Sequence, residues 1–215
     1  MPKQVRTKVI PTTYPAAVDQ ALQVLRAGGL VAFPTDTVYG VGALAFLAPV
    51  VEQIYRAKGR PRSKAIPILL DSAGRLPEVA ENVSQEASQL AKKFWPGPLT
   101  IVLTRKSTVP DVVTAGGTSL AVRVPDHEFA LRLIAAAGGA LATTSANRSG
   151  QPDPVTAQEV LAYLGARIEL ILDGGRCPGG IPSTVIDLTR ALPQVVRWGA
   201  IKRAALEEAL GRQLL

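Results

Sequence analysis

Two groups of residues able to do chemistry stand far apart in this chain. Arg56, Lys58, Arg60, Arg62 and Lys64 recur at a strict spacing of two with no acidic residue among them, and Thr143-Thr144-Ser145-Ala146-Asn147 gathers three hydroxyls and an amide in five positions. In extended backbone a period of two turns alternate side chains to one face. The basic row is therefore predicted to line a groove able to hold a polyphosphate. Gly59 and Pro61 favour that path, because they stop a helix entering from Val50 to Tyr55 and force a turn or extended segment. Charge-rich runs are more often solvated surface, and that reading stays open.

The hydroxyl cluster follows an apolar strand, Ala140-Leu141-Ala142, so Ser145 and Asn147 share a direction if the segment stays extended. Asn147 as a cap on the loop Arg148-Ser149-Gly150 is the alternative. A second polar exit follows Phe33, where Pro34 ends the ladder and Thr35-Asp36-Thr37 emerge together. Ligands of open α/β sheets sit at such strand ends, and the same residues also close turns with hydroxyl and Asx caps. Asp173-Gly174-Gly175-Arg176 and the run from Gly179 to Thr184 form a glycine-rich loop. Its amides could wrap an anion or simply turn the chain.

Other chemistries find no support. The chain has no GxGxxG and no GxxxxGK[ST], so any nucleotide binds without the two common phosphate loops. His127 is the sole imidazole and follows Pro125-Asp126, a helix-entry turn. No Ser-His-Asp order is credible, and no Cys or His cluster offers a metal site.

The elements that must position these residues alternate. Helices are expected over Ala16 to Ala27, Pro49 to Ala57, Ser84 to Phe94, Glu128 to Ala137, Ala157 to Leu164 and Ile201 to Leu210. Strands are expected over Leu30 to Phe33, Ile66 to Leu70, Leu99 to Thr104, Ser119 to Val124, Ala140 to Thr144, Glu169 to Leu172, Thr184 to Leu188 and Gln194 to Arg197. Such alternation predicts an α/β fold with a twisted mixed sheet and flanking helices. A length of 215 residues with 47% hydrophobic and 19% charged residues suits one domain over residues 1–215, its core about 14–199.

A net charge of +7 points to anionic partners such as nucleotide, RNA or a membrane surface. Only 5% of residues are aromatic, and none interleaves with the basic row to stack bases. The single Cys177 excludes an internal disulfide and suits a reducing cytoplasm. The N-terminal charges run into Pro11-Thr12-Thr13-Tyr14-Pro15 without an apolar signal core. No stretch approaches the roughly 20 apolar residues of a membrane span.

Six stretches in order, FPTDTVYGVG at 33–42, IYRAKGR at 54–60, FWPGPLT at 94–100, AVRVPDH at 121–127, TSANRSG at 144–150 and PSTVIDL at 182–188, resemble the YrdC-like family across nearly the whole chain. The resemblance implies a dsRNA-binding-like fold with a large concave cavity. It implies synthesis of L-threonylcarbamoyladenylate from L-threonine, bicarbonate or carbon dioxide, and ATP, for N6-threonylcarbamoyl modification of tRNA. Its functional tetrad falls on Lys58, Arg60, Ser145 and Asn147. Arg62, Ser119 and Arg197 join the ATP side, and Thr35, Arg123, Thr143 and Ser183 form the threonine side. Mg2+ is expected with the ATP, and a transferase complex and some tRNA affinity are expected downstream. The chain departs from many relatives at Ala65 and Pro67, so no threonine contact is assigned from Ile66 to Ile68. It resembles the family's short form, without a second domain.

Overall fold

The computed structural model describes residues 5–214. In chain order the elements are β1 (Lys8–Pro11), α1 (Ala17–Arg26), β2 (Val31–Phe33), β3 (Gly40–Leu44), α2 (Ala48–Lys58), β4 (Ile68–Leu70), a 3-10 turn (Ala73–Arg75) leading into α3 (Leu76–Val79), and α4 (Gln85–Phe94). There follow β5 (Leu99–Thr104), β6 (Ser119–Arg123), α5 (Glu128–Ala136), β7 (Ala140–Ser145), α6 (Ala157–Leu164), β8 (Leu170–Asp173), β9 (Thr184–Asp187), β10 (Gln194–Arg197) and α7 (Arg203–Leu210). The expected elements are all present, three with the anticipated bounds and the rest shifted by one or two residues.

Their ends follow local chemistry. Ser84 Oγ accepts from Ala87 N at 3.1 Å to start α4, and Thr156 with Glu159 closes a capping box on α6. His127 caps α5 through Nδ1, as its helix-entry setting predicts. Gly59, at φ 61° in the left-handed region, ends α2.

One ten-stranded mixed sheet runs in the order β1-β8-β2-β3-β7-β4-β6-β5-β9-β10. Strand alternation divides its apolar residues between two layers. Ala32, Ile68, Leu70, Ala142 and Ile171 pack with α2, α4 and α6, whereas Val31, Phe33, Leu69, Leu141 and Leu170 pack with α1 and α5. The second layer stops short. Val102, Ala121 and Val185, on β5, β6 and β9, belong to neither layer and are only half-buried. That half of the sheet is a face no helix packs on, and the candidate site residues gather at its border. No helix among the described residues is long and apolar enough to cross a membrane.

Two expectations are corrected. No strand was expected over Gly40–Leu44, which forms β3, and two glycines are unusual in a strand. Its glycines answer to packing: a Cβ on Gly40 would lie 2.7 Å from Thr143 Cγ2, and one on Gly42 3.0 Å from both Phe33 and Thr143 Oγ1. The basic row, expected to be extended, begins inside α2, where a two-residue step turns by about 200°. Its cations therefore diverge. Arg56 is exposed and Lys58 is buried at 2%.

Candidate active site

Lys58, in the last turn of α2, reaches across to the end of β7. Its Nζ donates to Ser145 O at 2.5 Å, Asn147 O at 2.6 Å and Asn147 Oδ1 at 2.8 Å. Ser145 Oγ donates to the same Oδ1 at 2.7 Å. The two segments separated by almost ninety residues of chain thus meet; Ser145 and Asn147 converge although the chain bends at Ala146 and Asn147 instead of staying extended, and Asn147 Nδ2 also donates to Gln151 O, closing the loop as the capping alternative expects. Burial and then the Arg60 guanidinium pull the Lys58 pKa from 10.5 down to about 7, while Asp153 acts against them. Three oxygens matched to three N–H groups are the setting of an ammonium, which has three donors.

Beside this knot lies an open cleft of about 120 Å³, smaller than a typical small-molecule site. Thr35, Arg123, Thr143, Ser145, Ser183 and Arg197 all line it. Arg123 Nε donates to Gly97 O and Nη1 to Thr37 Oγ1, both at 2.9 Å, and Nη2 pairs with Asp36. A guanidinium carries five N–H donors, so two remain for a ligand. Desolvation lowers the Arg123 pKa and the Asp36 charge opposes this; a guanidinium is not deprotonated in proteins. Arg197 donates to Ser183 O, and Ser183 Oγ is bonded to Thr100 Oγ1 at 2.8 Å. Thr35 Oγ1 donates to Val38 O at 2.7 Å. It caps its own turn, as the turn reading expects, and it also lines the cleft.

Three assigned residues stand elsewhere. Arg60 sends Nε to Lys64 O at 2.9 Å and Nη2 to Ala65 O at 2.7 Å, strapping its own loop. Arg62 pairs with Glu52 on the outer surface. Ser119 does not line the cleft. It shares Arg123's face at the other end of β6, about 13 Å away. Through β4 the ladder sets Ala142 level with Val122, which puts Ser119 level with Ser145.

The sequence reading overlooked Thr37, Thr100, Leu69, Pro67 and Asp153 in the cleft wall. Thr37 lay within the singled-out turn. Thr100 and Pro67 fell in passages already quoted but without a site role, and Leu69 and Asp153 carried no signal of their own, because register and loop course alone bring them there. Tyr39 was also overlooked. Its hydroxyl donates to Gly175 O at 2.7 Å and accepts from Gly174 N at 3.1 Å, pinning the glycine-rich loop against the cleft.

The sheet, its bare half and a cationic, hydroxyl-lined border define an open α/β protein with a sheet-face cleft suited to a small anionic ligand. A family model covering Sua5, YciO and YrdC proteins, described as "Telomere recombination", matches residues 23–199. The chain belongs to that family. It is 45% identical over 187 residues to the threonylcarbamoyl-AMP synthase of Pyrococcus abyssi, covering 87% of this chain and 55% of the relative. It is 40% identical over 198 residues to that of Bacillus subtilis, covering 90% and 56%. The crystal structure of P. abyssi Sua5 complexed with L-threonine superposes with a TM-score of 0.90 at 40% identity, covering 98% of this chain and 62% of the other. The chain thus spans a little over half the length of these relatives.

Proposed function

We propose that this protein makes L-threonylcarbamoyladenylate from L-threonine, bicarbonate or carbon dioxide, and ATP, releasing pyrophosphate, as the first step of tRNA N6-threonylcarbamoyladenosine formation. One observation carries the reading: an ammonium held by Ser145 and Asn147 borders a cleft in which Arg123 keeps free donors among hydroxyls. The names of the relatives and a threonine-bound neighbour support it.

The amino-acid carboxylate suits Arg123, whose spare N–H groups can meet it bidentately. Thr35, Thr143 and Ser183 supply donors and acceptors to orient the hydroxyl and amine. The amine nitrogen attacks carbon dioxide, forming the N–C bond of a carbamate and releasing a proton to solvent. A carbamate oxygen then attacks the α-phosphorus, and the bond to the β-phosphate oxygen breaks as pyrophosphate leaves. Little acid-base catalysis is required. The difficulty is bringing anions together, which Lys58, Ser145, Asn147 and Arg197 ease by neutralisation and orientation. Arg60 and Arg62 would join only after leaving their present partners. Mg2+ accompanying ATP supplies further neutralisation. The described residues hold no cluster of three or more His, Cys, Asp or Glu to cage an ion, and of the side chains lining the cleft only the Asp153 carboxylate fits one.

The labile product passes to a transferase complex acting on tRNA, and we place the reaction in the cytoplasm, where a lone buried thiol such as Cys177 stays reduced. Pyrophosphate release measured with ATP, threonine and bicarbonate should require all three together. Release indifferent to threonine would refute the reading.

A further inference from the structure

Asp153 is out of place in a cleft for anions. Among the described residues lining the cleft it is the only acidic one, and no hydrogen bond or ion pair engages its carboxylate. Its support is stiff. It sits between Pro152 and Pro154, which restrict the backbone on both sides. The carbonyl of Pro154 receives Tyr39 N at 2.9 Å, and that of Gln151 receives Asn147 Nδ2. The backbone on both flanks of Asp153 is thus held by residues that build the site, and its carboxylate is near enough to bear on the Lys58 charge.

A carboxylate beside phosphates is repulsive unless a cation lies between them. Lys58 does not fill that place, because its three N–H groups are already spent on Ser145 and Asn147. Arg123 is matched by Asp36. Magnesium is commonly held by one or two carboxylates together with substrate phosphates, keeping several waters. We propose that Asp153 holds the Mg2+ of the incoming nucleotide, so that the cleft selects ATP as its magnesium complex over the free tetra-anion. The inference rests on the adenylate-forming reading and adds the form of the nucleotide to it.

Calorimetric titration of the protein with ATP, in excess EDTA and in excess Mg2+, tests it without turnover. The wild type should prefer the magnesium complex by about tenfold, the scale of one charged contact. Asp153→Asn should erase or reverse that preference. With Mn2+ as the probe, water-proton relaxation of the ATP complex should differ between wild type and variant. Equal wild-type affinity for both forms overturns the inference with no variant needed. So does an Asp153→Asn protein, shown folded by its thermal melt, that keeps the preference. ATP binding without metal preference sinks only the Asp153 assignment, whereas failure of both forms to bind removes the adenylate reading and this inference with it.

Discussion

Lys58 is held between opposing forces: burial and Arg60 disfavour its charge, while three oxygens and Asp153 favour it. With a pKa near 7, its ammonium form, whose charge favours phosphates in the adjoining cleft without contacting them, is lost as pH rises above neutrality. ATP affinity should therefore fall from about pH 7 upward, with a slope approaching one proton. Lys58→Met should flatten that slope and weaken ATP binding at least about tenfold near pH 6; calorimetry across pH reads both effects. Stability carries the same signature. Because the folded pKa lies below 10.5, the unfolded chain binds more protons between about 7 and 10.5, and this group makes stability rise with pH across that window. Denaturant melts of Lys58→Met should lose that rise.

At the scale of elements, β3 shows how packing overrides propensity. Gly40 and Gly42 leave the space that Thr143 and Phe33 fill, so the glycines of one strand set the position of a cleft residue on its neighbour. Gly40→Ala should push the Thr143 side chain out of place. The expected outcome is a loss of about 1–3 kcal/mol in chemical denaturation, together with a several-fold weaker affinity for threonine. Unchanged threonine affinity would separate Thr143 from the ligand. The Tyr39 hydroxyl does comparable work for the glycine-rich loop, tying Gly174 and Gly175 to the β2–β3 turn.

Across the whole molecule, one sheet divides two apolar layers of unequal extent, and the shorter one leaves part of one face open. Leu90 on α4 lies in one layer and Leu133 on α5 in the other, both fully buried. Each truncation to Ala should cost about 2–5 kcal/mol. Because the sheet separates them, the double variant should show the sum, in a single unfolding transition. Two resolved transitions would mean that the layers fold apart.

The alternation of helix and strand, the cap of α4 at Ser84 and the end of β7 within a residue of Thr144 follow from local rules, since caps, breakers and apolar period act within a few residues. Motif order alone disclosed the family. Tertiary structure decided the rest. Whether Lys58 turns inward while Arg60 and Arg62 face their own loop and Glu52 depends on where α2 ends, not on their shared charge. Asp153 and Thr100 enter the cleft only because β5, β7 and the proline loop converge around a face that no helix covers. Long-range register sets such meetings, and a single chain's local pattern holds no record of it.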